Sequence, residues 1–248
     1  MKLALFGGTF DPVHLGHLAI ARAAAKAFDL GLIHFVPAAV PPHKGGRVLS
    51  DFRHRYAMLA LATAEEQAFL PSLLEADSDL PNYSIQTVRR LKSTLRKSDK
   101  LYFLIGIDAF MEISTWRQPV ELLRECDFIV ASRPDYSLAD VGEALPETLR
   151  PSGRVLEALR KQSASGTVAL PNTTIHLLSG VKEKISSTQI RASASKSVQQ
   201  LSRYVPRAVA GYIKKEHLYV SQDKTESGKS AKVLSFHRSA KRSDQEQG

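Results

Sequence analysis

At 248 residues, 43% of them hydrophobic, the chain is long enough to bury a sizeable core in one large domain, and no apolar run approaches membrane-spanning length. A single cysteine, Cys126, excludes an internal disulfide, and the N-terminus enters a strand pattern directly with no signal peptide, so a soluble cytoplasmic protein is expected. The net charge of +9 invites a nucleic-acid reading, but the segment from Ser221 onward holds six Lys or Arg against four Asp or Glu, leaving +7 to the rest. No basic stripe with interleaved aromatics is present, so a nucleic-acid partner is disfavoured and a nucleotide or pyrophosphate ligand accounts for the surplus equally well.

In chain order, residues 2–6 form a short apolar run of the kind buried on both faces in a parallel sheet. Gly7 and Gly8 then permit a sharp turn and close approach to a ligand, since neither has a Cβ. The spacing of Leu18, Ala21, Ala25 and Phe28 predicts a helix beginning between His14 and His17. A strand feeding through glycines into a helix start presents free N–H groups and the positive dipole end, which suits a phosphate. His14 and His17, three apart, project from nearly one face and can donate to a phosphoryl oxygen; the same pair could equally be a cap or core residues. No Glu lies between them and no third ligand is near, so the metalloprotease pattern is absent and no protein-held metal is expected.

Residues 32–37 read as a second strand, ending in Pro41-Pro42-His43-Lys44, a loop at the carboxyl edge where Lys44 can meet a phosphate or simply face solvent. Asp51 is expected to cap a helix with Tyr56, Leu59, Ala60 and Thr63 on one side, followed by strand-like residues near 68–75. Ser84 can cap the next helix, whose apolar face is Ile85, Val88, Leu91 and Leu95. Residues 101–105 are the clearest central strand, leading into Gly106-Ile107-Asp108; Asp108 can accept from a ribose or cap the helix that follows. Trp116, the only tryptophan, reads as a core residue. Residues 127–131 make another strand, with Arg133 at its carboxyl end able to hold phosphate oxygens bidentately. Residues 137–166 read as a surface insertion, and 174–178 as the last strand. Ser186, Ser187 and Thr188 open a helix with Arg191 one turn on, an ordinary N-cap or a phosphate cradle. A final helix closes a domain spanning 1–220, and the polar stretch 221–248 is expected to be a disordered tail. Strands alternating with helical patterns predict an α/β fold, a parallel sheet with helices on both faces.

Two motifs carry a resemblance. Gly7-Gly8-Thr9-Phe10-Asp11-Pro12-Val13-His14-Leu15-Gly16-His17 resembles the signature of the His-x-Gly-His nucleotidyltransferase superfamily, and its opening is similar to that of bacterial nicotinate-nucleotide adenylyltransferases. Ile185-Ser186-Ser187-Thr188-Gln189-Ile190-Arg191 resembles the same family's second motif, and the likeness extends over residues 1–219. It implies a Rossmann-like nucleotidyltransferase fold and transfer of AMP from ATP, accompanied by Mg²⁺, to nicotinate mononucleotide. By the same resemblance His14, His17 and Arg191 are catalytic. Gly7, Gly8, Thr9, Phe10, Asp108, Arg133 and residues 186–188 would join His17 and Arg191 in binding ATP, and Lys44, Ser84 and Trp116 would bind the mononucleotide. The chain has Ser84 where the family commonly has Thr and Gln86 where it has Asp, which keeps a hydroxyl but leaves acid-over-amide preference open. Nicotinamide mononucleotide or phosphopantetheine as acceptor, and a non-catalytic nucleotide-binding module, are the alternatives.

Overall fold

The structure, a computed structural model, describes residues 1–40, 49–76, 82–132, 136–162, 166–180 and 185–220. Lys44, Arg133 and the 221–248 stretch therefore lie outside the described residues.

Seven strands form one sheet in the order β3-β2-β1-β4-β5-β7-β6. They are β1 (Lys2–Gly8), β2 (Leu32–Pro37), β3 (Phe69–Pro71), β4 (Lys100–Gly106), β5 (Asp127–Ala131), β6 (Gly166–Ala169) and β7 (Thr174–Leu178). Every pairing is parallel except β6 with β7. The chain builds outward from β1 to β3, then returns to pair β4 against β1 and builds the other way. The order therefore reverses between β1 and β4, and the loops leaving their carboxyl ends diverge to open a crevice there. Gly7, Gly8 and Gly106 stand at that reversal point.

The core divides into two clusters, one on each face of the sheet, because every central strand alternates its buried side chains between them. Leu3, Leu5, Phe103, Ile105, Phe128 and Val130 belong to one; Ala4, Phe6, Tyr102, Leu104 and Ile129 belong to the other. Helices α3 (Ser84–Lys92) and α5 (Pro119–Glu125) cover the first face with Ile85, Val88, Leu91, Leu122 and Leu123. On the second face lie α1 (Leu15–Phe28), α2 (Phe52–Thr63) and α10 (Arg207–Lys215). The short helices α4 (Ile107–Phe110), α8 (Ser187–Ala192) and α9 (Val198–Leu201) complete the connections around the site.

Several local expectations are corrected by tertiary contacts. Residues 73–75 are not strand, because β3 ends at Pro71 after pairing only three residues with β2. The helix after β2 buries Arg55, Met58, Leu59, Ala62 and Thr63, not the side bearing Tyr56 and Ala60. Ser84 is the first helical residue of α3, and Tyr83 occupies the cap position. Asp108 lies inside the first turn of α4 behind a Gly106 cap, so it does not cap that helix. Residues 137–166 hold α6 (Leu138–Glu143) and α7 (Gly153–Arg160), and Leu138, Ala139, Val141 and Leu145 are fully buried against the first face. β6, which follows, adds an antiparallel edge that the sequence pattern did not signal.

Phe128 is fully buried at the centre of the sheet, stacked on Phe103 with ring centroids 5.3 Å apart. Phe128→Ala is expected to lower the unfolding free energy by about 3–5 kcal/mol, measured by urea denaturation, because the cavity it leaves lies in the packed layer between the sheet and its covering helices.

Candidate active site

The turn after β1 is held in a conformation that the sheet alone would not give. Phe10 has φ of 47°, in the left-handed region unusual for a residue with a Cβ. Its ring is buried edge-on against Phe6 at 5.6 Å and His17 at 5.0 Å, and these contacts hold it there. That ring also explains Gly8: a Cβ at this position would stand 3.1 Å from it.

His14 and His17 form a reciprocal cap at the start of α1. The His17 N–H donates to His14 Nδ1 at 3.3 Å, and the His14 N–H donates to His17 Nδ1 at 3.2 Å. The two rings stack with centroids 3.6 Å apart. Since each Nδ1 accepts, the proton of each neutral ring sits on Nε2, which becomes the donor edge. His14 is only 7% exposed, and burial pushes its pKa down to about 4, so at neutral pH it is an uncharged hydrogen-bond donor.

The second motif docks directly on the first. Arg191 Nη1 donates to the Asp11 carbonyl at 2.7 Å, and Ser187 Oγ donates to the Pro12 carbonyl at 3.0 Å, contacts spanning 180 and 175 residues of chain. Arg191 Nη2 donates to Thr188 Oγ1 at 2.8 Å, and Ser186 caps α8 by accepting the Gln189 N–H. Beneath the turn, the Asp11 side chain is 1% exposed and accepts from the Tyr219 hydroxyl at 2.7 Å. Burial and the Asp11 charge both raise the Tyr219 pKa, keeping that phenol a donor.

A cavity of about 280 Å³ opens at the crevice between β1 and β4. Its walls include Gly7, Gly8 and Thr9 on one side and Tyr83, Ser84 and Trp116 on the other, with Phe103 and Ile105 between them. Trp116 meets Phe103 edge to face at 6.3 Å, and the Arg117 guanidinium lies 5.5 Å from the Tyr83 ring. Aromatic and aliphatic walls with polar groups such as Asn82, Ser84 and Glu112 among them suit a flat heterocycle that carries a polar substituent.

The predicted residues thus fall into two groups that adjoin at the glycine turn. His14, His17, Ser186, Ser187, Thr188 and Arg191 surround the start of α1, while Gly7, Gly8, Thr9, Ser84 and Trp116 line the cavity. Phe10 is packed behind the turn, and Asp108 is exposed on α4, next to the cavity residues Gly106 and Ala109. Sequence reasoning missed Arg55, Glu75 and Tyr219. For Arg55 a signal existed: it falls in helical register with Met58, Leu59 and Ala62, a charge on an apolar stripe. Glu75 and Tyr219 carry no local pattern of this kind.

Residues 5–193 match the family model described as cytidylyltransferase-like. The chain is 38% identical over 220 residues to the "probable nicotinate-nucleotide adenylyltransferase" of Desulfotalea psychrophila, covering 88% of this chain and 99% of that one. It is 37% identical over 218 residues to the protein of the same description from Moorella thermoacetica, covering 88% and 91%. In fold it is similar to the Plasmodium falciparum nicotinic acid mononucleotide adenylyltransferase complexed with NaAD, with a TM-score of 0.64 at 18% identity over 88% of this chain and 97% of that one.

The depressed His14 pKa has a stability consequence. Below about pH 6.5 the unfolded chain binds a proton at His14 that the folded chain refuses until about pH 4, so stability falls as pH falls through that window. In His14→Asn, which keeps a capping side chain, urea denaturation from pH 7.5 to 4 is expected to show a shallower loss.

Proposed function

The chain belongs to the nicotinate-nucleotide adenylyltransferase family, and from that premise we propose how its residues divide the transfer of AMP from ATP to nicotinate mononucleotide. A 5′-phosphate oxygen of the mononucleotide attacks the α-phosphorus of ATP, and the bond from that phosphorus to the bridging oxygen of pyrophosphate breaks. The products are nicotinate adenine dinucleotide and pyrophosphate, an intermediate step and a by-product of NAD biosynthesis. The attacking group is already an anion, so no covalent enzyme intermediate is needed; the task is to hold two anions together and offset their repulsion.

In this reading the Nε2–H edges of His14 and His17 donate to the phosphoryl oxygens as charge grows on them. The turn of Gly7, Gly8, Thr9 and Phe10 shapes the ATP side, where the exposed carboxylate of Asp108 accepts from the ribose. Arg191, with Ser186, Ser187 and Thr188, takes the departing pyrophosphate, and Arg133 adds a fixed charge to the phosphates. Lys44 neutralises the attacking phosphate. Trp116 stacks on the pyridine ring, and the Ser84 hydroxyl donates to its carboxylate at the start of α3. Mg²⁺ would accompany ATP on its phosphate oxygens and would supply further charge neutralisation there. No helix among the described residues is long and apolar enough to cross a membrane, and a cytoplasmic setting fits the one buried thiol.

The observation that carries this reading is the docking of α8 on the histidine turn, since it joins a phosphate-type helix start to two neutral imidazole donors. The Ser84 and Gln86 departures favour testing nicotinamide mononucleotide as a second acceptor. Pyrophosphate release should be fastest with nicotinate mononucleotide in a panel that includes nicotinamide mononucleotide and phosphopantetheine; preference for another acceptor would overturn the substrate assignment. His17→Ala should lower kcat by about 10²-fold or more with the far-ultraviolet circular dichroism unchanged, and near-normal turnover would remove His17 from the chemistry.

A further inference from the structure

We propose that Arg55 and Glu75 are a pair of positioning residues that fix the width of the cavity between the glycine turn and α3, and so set the seat of the mononucleotide ring. The proposal rests on the family reading above.

Both are buried charges, 1% and 6% exposed, in a region where regular backbone pairing runs out. The last bond between β1 and β2 is from the Ala38 N–H to the Gly8 carbonyl at 2.9 Å. Past it, side chains take over the backbone groups. Arg55 Nη1 donates to the Ala38 carbonyl at 2.7 Å and to the Thr9 carbonyl at 3.0 Å; Nη2 donates to the Ala39 carbonyl at 3.4 Å and Nε to the Ser50 carbonyl at 2.9 Å. Glu75 takes the complementary group, since its Oε2 accepts the Ala39 N–H at 3.3 Å while its Oε1 accepts from Thr87 Oγ1 at 2.6 Å.

These bonds form one continuous path. It runs from Thr9 in the glycine turn through Arg55 to Ala38 and Ala39, then through Glu75 to Thr87 on α3. Thr9, Ala38 and Glu75 of this path line the cavity, and the path ends on α3, whose first residue, Ser84, lines it too. Neither charge is there for cheap stability, because a buried carboxylate and a buried guanidinium each lose hydration; burial alone pushes the Glu75 pKa up and the Arg55 pKa down. What the pair does accomplish is a fixed separation between two walls that no strand or helix joins. Glu75 and Thr87 form the α3 end of the path, beside Ser84 and away from the Thr9 end, so loosening that end acts first on the mononucleotide seat.

The test is steady-state kinetics with ATP and nicotinate mononucleotide on the full chain, for the wild type, Glu75→Ala, Glu75→Gln and Thr87→Val, with thermal melts alongside. Glu75→Ala is expected to raise the mononucleotide KM about tenfold while kcat and the ATP KM stay within about twofold. Glu75→Gln, whose amide oxygen can still accept the Ala39 N–H, should recover most of that loss, and Thr87→Val should raise the same KM about threefold. Thr87→Val nearly conserves volume, so it carries the same test if Glu75→Ala fails to fold. An unchanged mononucleotide KM in the folded variants, or a parallel change in kcat and both KM values, would overturn the positioning role while wild-type turnover left the family reading intact. Absence of wild-type turnover on the mononucleotide would instead remove the family reading.

Discussion

The docking of α8 onto the turn that follows β1 is the contact on which the rest of the site depends. Two main-chain carbonyls, those of Asp11 and Pro12, are left without sheet or helix partners where the chain bends toward α1. Arg191 and Ser187 arrive from the far end of the domain to take them. The same bonds bring the start of α8 against the turn that leads into the two histidines. Structural satisfaction of the backbone and assembly of a phosphate site are here one event, because unpaired buried carbonyls and an anion both call for donors converging on one point.

Beneath that contact sits Asp11, buried and gripped by Tyr219 from the last described turn of the chain. A carboxylate removed from water must be matched by donors, so its position fixes the C-terminal turn as much as the turn fixes it. His217 and Tyr219 both have positive φ, at 50° and 64°, a conformation that delivers the phenol into the interior. The end of the described chain and the second motif are thereby tied to two consecutive residues of the first loop, Asp11 and Pro12.

Electrostatically the site separates two tasks. Around α1 the donors are neutral imidazoles and a fixed guanidinium, suited to oxygens whose charge increases during reaction. In the cavity aromatic and aliphatic walls carry Glu75, Glu112 and Arg117 among them, and Glu75, like the buried Arg55 behind the wall, is turned to holding backbone. The arrangement keeps ionic attraction for phosphate and leaves shape to select the heterocycle.

Much of this was legible along the chain. Short apolar runs located β1, β2, β4, β5 and β7, and period-3.6 patterns the principal helices, because a strand buried on both faces and a helix buried on one each report burial locally. Gly7, Gly8, His14, His17 and Arg191 stood out because glycine turns and helix starts are local devices. The sheet order, the antiparallel β6 and the cap at Tyr83 were not legible, since each is decided by which distant segment offers the better partner. Arg55, Glu75 and Tyr219 belong with these. A buried charge is stable only beside specific acceptors or donors, and those come from residues that are neighbours in space and far apart in sequence. The amino-acid order by itself determined the alternation of elements and the two motifs; the tertiary structure alone decided that they meet at one turn and how wide the cavity beside it stands.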